Sequence, residues 1–150
     1  MRTARAEAEL PLTPEAVLQL WTDVSRWPSF VEGFARVVEL DPEWPEEGSR
    51  AIWESVPAGR GRVTEKVADG APGRFATLVF EDRLSGRQTV RAIESEAGAR
   101  VELSLEYTLT SYGLLGPLAD VIFIRRALRD SLRRTITRFG VEAQDEAGLR

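Results

Sequence analysis

The chain has 150 residues, 43% hydrophobic and 29% charged, which suits one globular domain burying roughly 70% of the surface its unfolded chain exposes. It contains neither cysteine nor histidine, so disulfides and thiolate chemistry are excluded, along with the commonest general base and metal ligand. A net charge of −4 argues against nonspecific nucleic-acid binding, and no nucleic-acid partner is expected.

The opening MRTARAEAEL alternates polar and apolar residues like a half-buried strand and lacks the apolar core of a signal peptide. Together with the missing cysteines this points to a reducing cytoplasm. Thr13-Pro14-Glu15 then supplies an N-cap, a proline at the first helical position and an acid in the first turn. A helix is expected from 14 to about 22, with Val17, Leu20, Trp21 and Val24 sharing a face. Pro28 restricts the next piece to a short helix or turn from about 25 to 32. That piece, TDVSRWPSFVEG, carries Trp27 and Phe30, with Trp21 just before it and Phe34 just after. Trp21, Trp27 and Phe30 read as a packing edge that walls off a space. Phe34 begins a strand and is left open between core and ligand contact.

From Phe34 the period becomes two. Strands are expected at about 34–41, 48–56, 60–69, 74–83, 87–95 and 99–109, with breaks at DPEWPEEG, PAG, DGAPG, LSG and EAGA. Short connections imply an antiparallel meander. Around Pro57-Ala58-Gly59, a register that pairs Trp53 with Val63, Ala51 with Glu65 and Glu54 with Arg62 sorts apolar side chains from an ion pair. In the last strand Val101, Leu103, Leu105, Tyr107 and Leu109 alternate with polar residues.

After Ser111-Tyr112-Gly113, a helix is expected from about 115 to 140. Its apolar stripe is Leu118, Val121, Ile122, Ile124, Leu128, Leu132, Ile136 and Phe139. The apolar run GLLGPLADVIFI contains Asp120 and is too short to span a bilayer. The last ten residues, VEAQDEAGLR, are expected to fray. The domain is therefore placed at 1–143, with a disordered tail at 144–150.

The order of elements implies an α+β fold. A curved seven-stranded antiparallel sheet wraps a long C-terminal helix, and two short helices lie between strands 1 and 2. TDVSRWPSFVEG after a TPEAVLQLW helix, the GSRAIWE strand and GLLGPLADVIFIRRALRDSL resemble the START-like, helix-grip superfamily (SRPBCC proteins). Within it the chain looks most like the polyketide cyclase/dehydrase and lipid-transport group. The resemblance implies an apolar cavity between sheet and long helix, with no universal catalytic signature and no cofactor or metal.

Polar residues on apolar faces are the candidates for chemistry in such a cavity. Arg125 falls at about 340° on a stripe centred near 310°, counting about 100° per residue from Leu118. It could bind a ligand oxygen, run out along the groove, or pair with a strand acid. Glu65 shares the Trp53–Val63 face and is a candidate acid or base, a rim residue, or the partner of Arg125. Tyr107 can offer a hydroxyl. Trp53, Val63, Phe34, Leu103, Leu105 and Leu128 are the candidate apolar lining. Asp82, Arg87 and Arg91 flank the LSG turn and receive no role, because its register is not fixed. RRALRDSLRR reads as a solvated helix face with Arg126–Asp130 and Asp130–Arg134 pairs, or as a weak contact with an anionic membrane surface. Phe123 lies on the outer helix face and hints at a contact surface in a monomer or homodimer.

Three functions are in view: a binding protein for a lipid, quinone, isoprenoid or aromatic polyketide; a metal-free cyclase or dehydratase using the same cavity; and an interaction or chaperone-like module with a collapsed core.

Overall fold

Thr13 caps the first helix as its sequence requires, its Oγ1 accepting the Ala16 N–H at 3.2 Å. In the computed structural model, which describes residues 1–57, 59–110 and 117–149 apart from the side chains of 117–120, β1 (Arg2–Leu10) precedes this helix, α1 (Pro14–Thr22). A single 3-10 turn (Val24–Arg26) leads to α2 (Trp27–Phe30). Six strands follow: β2 (Phe34–Leu40), β3 (Arg50–Ser55), β4 (Arg62–Ala71), β5 (Arg74–Phe80), β6 (Leu84–Ser95) and β7 (Gly98–Leu109). The chain ends in α3 (Pro117–Glu146). All seven strands make one antiparallel sheet in the order β1-β7-β6-β5-β4-β3-β2. This is the α+β helix-grip architecture expected from the order of elements. No described helix is long and apolar enough to cross a membrane.

The β3–β4 register is the expected one, with Trp53 opposite Val63, Ala51 opposite Glu65, and Glu54 opposite Arg62 at 2.8 Å. The Pro57-Ala58-Gly59 turn itself lies partly outside the described residues. One expected turn proves to be strand. Leu84, Ser85 and Gly86 pair with β5 and β7, and the chain reverses between Phe80 and Leu84 instead. Gly86 is there for close approach, because a Cβ at this position would overlap the carbonyl oxygen of Glu106. Its strand phase sends Gln88 inward with Val90, and sends Arg87 and Arg91 to the opposite face.

The aromatics of α1 and α2 are core. Trp21, Trp27 and Phe30 are buried, and Trp21, Phe30 and Phe139 of α3 meet ring to ring at 4.9–5.3 Å. The Trp27 indole N–H donates to the Trp21 carbonyl at 2.8 Å, and its ring meets Trp44 edge-on. Trp44 extends the cluster to Phe75 on β5.

On α3 the buried residues are Ile124, Leu128, Leu132, Thr135, Ile136, Phe139 and Ala143. Ile122, placed on the stripe by the sequence pattern, is 57% exposed, as is Phe123 at 67%. Leu118, Asp120 and the Ser111-Tyr112-Gly113 break fall outside what is described. The stretch 141–146, expected to fray, is helical. Burial of Ala143 and ion pairs from Arg26 to Glu142 and Glu146, both at 2.8 Å, hold it. The pairs expected through Asp130 do not form among the described residues. Arg134 and Arg138 reach Glu32, beyond α2, at 3.1 and 2.8 Å.

Trp27→Ala removes a buried indole that contacts two further aromatics, so a loss of about 3–5 kcal/mol is expected in urea unfolding. A loss under about 1 kcal/mol would mean that the cluster is not core.

Candidate functional site

The face of the sheet turned to α3 is apolar with one polar interruption. Glu65 on β4 points inward because its neighbours in phase, Val63 and Val67, are core residues. It is only 7% exposed. Its Oε2 accepts the Trp53 indole N–H at 2.8 Å and its Oε1 the Thr77 hydroxyl at 3.1 Å. The Gln88 side-chain amide lies 3.5 Å from the same Oε1. The donors sit on three strands, β3, β5 and β6, so the carboxyl is fixed by the registers themselves.

Arg60 stands at the edge of this group. Its guanidinium lies 5.3 Å from the centre of the Trp53 ring, and its Nε bonds Glu81 at 2.7 Å. With its charge engaged by Glu81, Arg60 only partly compensates Glu65. Burial therefore dominates and raises the Glu65 pKa above the ordinary 4.5, against the hydrogen bonds from Trp53 and Thr77 and the charge of Arg60. The carboxyl is biased toward its neutral form, able both to donate and to accept a hydrogen bond.

Next to Glu65 the described residues enclose a cavity of about 30 Å³, walled by Trp21, Trp27, Val31, Trp53 and Leu103, and by Ser131, Leu132 and Thr135 of α3. Arg60 and Gln88 complete it. This is water-sized, well below the several hundred Å³ of an ordinary ligand pocket.

The candidates read from the sequence separate here. Glu65, Trp53 and Leu103 meet at this cavity. Val63, Leu105 and Leu128 are buried in the core without bordering it, and Phe34 is half-buried, its ring tilted against Trp53 at 5.5 Å. Tyr107 is buried on β7, and its hydroxyl has no hydrogen-bond partner among the described residues. Burial raises its pKa, while the charges of Arg2 and Arg125 pull it down. Arg125 itself is exposed and points out of the core. The buried positions of α3 advance mainly in steps of four, which shifts the apolar face by about 40° per step. Around Ile124 and Leu128 that face lies at about 240–280°, leaving Arg125 off it.

Arg60, Thr77 and Gln88 went unnoticed in the sequence. Arg60 was expected to open a strand at 60–69, but that strand begins at Arg62, and Arg60 lies in the turn before it, outside the alternation. Gln88 was hidden by the misplaced turn at Leu84-Ser85-Gly86. Thr77 carries an inward phase in RFATLVF that could have revealed it.

A raised pKa means that folded Glu65 holds its proton more tightly than the unfolded chain does. Its contribution to stability is full below pH 4.5 and is lost as pH rises through the folded-state value. Glu65→Gln cannot ionise, so its stability relative to the parent should rise with pH in urea unfolding between about pH 4 and 8. A pH-independent difference would contradict the raised pKa.

Comparison with known proteins agrees with this geometry at the level of fold. A Thermus thermophilus protein, TTHA0849, superposes with a TM-score of 0.77 at 20% identity, over 97% of this chain and 99% of that one. Protein CV1439 of Chromobacterium violaceum gives 0.69 at 15%, over 94% and 96%. The di-domain ARO/CYC StfQ of the steffimycin biosynthetic pathway gives 0.77 at 11%, over 97% of this chain and 51% of that one. No curated protein sequence matches the chain. The family model described as polyketide cyclase / dehydrase and lipid transport matches residues 1–142. With that match spanning nearly the whole chain, the protein belongs to the polyketide cyclase/dehydrase and lipid-transport family.

Proposed function

We propose that the chain binds a hydrophobic or amphipathic small molecule between the sheet and α3, with Glu65 as its polar anchor. The observation that carries this reading is the Glu65 carboxyl itself. It is buried with no direct cation partner among the described residues, at the end of a wall made by Trp21, Trp27 and Trp53. A buried acid of this kind costs stability that an apolar residue would not. A ligand hydroxyl or carbonyl meeting the carboxyl gives that cost a use. The Tyr107 hydroxyl, without a hydrogen-bond partner among the described residues, offers a second polar contact on the same inward face. A lipid, quinone, isoprenoid or aromatic polyketide has the required apolar body and few polar ends. Because the described cavity holds about 30 Å³, such a ligand enters by parting α3 from the sheet.

The family match and the ARO/CYC neighbour support a second reading, a metal-free cyclase or dehydratase. Neutral Glu65 would then protonate a hydroxyl that leaves as water, and its carboxylate would recover a proton from the adjacent carbon. Binding comes first in either case.

Native mass spectrometry of the freshly purified protein, followed by solvent extraction, tests the shared claim. A co-purifying hydrophobic molecule is the expected result, and Glu65→Gln should weaken its rebinding about tenfold, the worth of one good hydrogen bond in a dry site. If no mass is carried and added oleate leaves α3 amide exchange unchanged, the reading fails in favour of an interaction module with a collapsed core. Turnover of the extracted molecule would establish the enzyme.

A further inference from the structure

The opposite face of the sheet carries a separate concavity. Its outward side chains form a grid across β5, β6, β7 and β1. One row reads Arg74, Arg91, Glu102, Glu7; the next reads Ala76, Thr89, Ser104, Arg5; the third reads Leu78, Arg87, Glu106, Thr3. The middle row is mostly short and its neighbours are long, so the sheet surface sinks into a trough of about 700 Å³ with Thr89 and Ser104 as its floor.

The charges in this trough are segregated. Arg74 directly faces Arg91, and Glu102 directly faces Glu7, two like-charge neighbours in one row. Such contacts oppose sheet stability, and alternating the same four residues would remove both. Asp69 neutralises Arg74 at 2.5 Å and reaches Arg87 only at 3.8 Å. Glu102 leans to Arg100 on its own strand at 3.5 Å. Among the described residues, Arg91, Arg5, Glu7 and Glu106 make no ion pair. The β5–β6 side therefore holds three guanidinium groups against one carboxylate, and the β7–β1 side three carboxylates against Arg5, with Arg100 reaching Glu102 from beyond the trough.

We propose that this trough binds a small dipolar molecule carrying an oxyanion and an ammonium group. The oxyanion lies over the Thr89 hydroxyl between the forks of Arg87 and Arg91, where bidentate charge-assisted bonds are available. The ammonium lies on the neighbouring strand between Glu102 and Glu106. Adjacent strands are about 4.8 Å apart, close to the charge separation across a two-carbon link. The trough has room for a larger body attached to these two ends. Both ends are solvent-exposed, so binding weakens as salt is added.

Phosphoethanolamine is the probe, with inorganic phosphate and ethanolamine as its separate halves. Binding is read from the backbone amide signals of Thr89 and Ser104 at low salt. Phosphoethanolamine should bind more tightly than either half. The exposed double variant Arg87→Gln/Arg91→Gln should lower affinity for it and for phosphate by about tenfold or more. Glu102→Gln/Glu106→Gln should weaken phosphoethanolamine alone and leave phosphate as tight or tighter. The proposal is overturned if the amides do not move, if the variants move them equally, or if phosphate alone binds as well as phosphoethanolamine, which would leave an unselective anion patch.

Discussion

A single helix has to keep the inner face of the sheet dry. Strands β4 to β7 and β1 turn a continuous apolar surface inward, and α3 is the long element that covers it, helped at one end by α1 and α2. Polar groups on that face are buried and depend on partners within the sheet. Glu65, Thr77 and Gln88 do so by meeting one another and the Trp53 indole. Arg60 stays at the margin because Glu81 holds it, and burial raises the Glu65 pKa against the hydrogen bonds it accepts.

The same alternation that dries one face furnishes the other. Each inward Val90 or Leu103 has an outward Arg91 or Ser104 beside it, so the trough and the buried carboxyl share a backbone register. A one-residue slip would bury the arginines and expose the core, which is why register is strongly held here.

Much of this was legible because hairpin geometry is local. The Trp53–Val63 pairing follows from three facing pairs sorting correctly, and that register alone delivers Glu65 to the inner face. The Thr13 cap and the aromatic packing edge were equally local. The placing of Arg125 inside the apolar stripe does not hold, for a geometric reason: a straight wheel assigns one apolar direction to the whole helix, whereas the buried face of α3 drifts along its length. Gly86 failed because glycine is first read as punctuation, although here it lets two strands approach. That error hid the inward phase of Gln88 and the outward phase of Arg87 and Arg91. The size of the space under α3 depends on how side chains interlock, and no periodicity encodes that.

The ion pairs of α3 are unevenly distributed, and this makes the helix mechanically asymmetric. Glu32 grips Arg134 and Arg138, and Arg26 grips Glu142 and Glu146, so the described bridges to the α1–α2 segment all fall from Arg134 onward. Each exposed pair contributes only about 0.2–1 kcal/mol, but they act beside the Phe139 ring cluster. Toward the start of α3 the cover is instead Ile124 and Leu128, flanked by solvent-facing arginines. A ligand that parts α3 from the sheet, as proposed above, would therefore meet the described ion-pair resistance at the C-terminal end of the helix and none of it around Ile124 and Leu128.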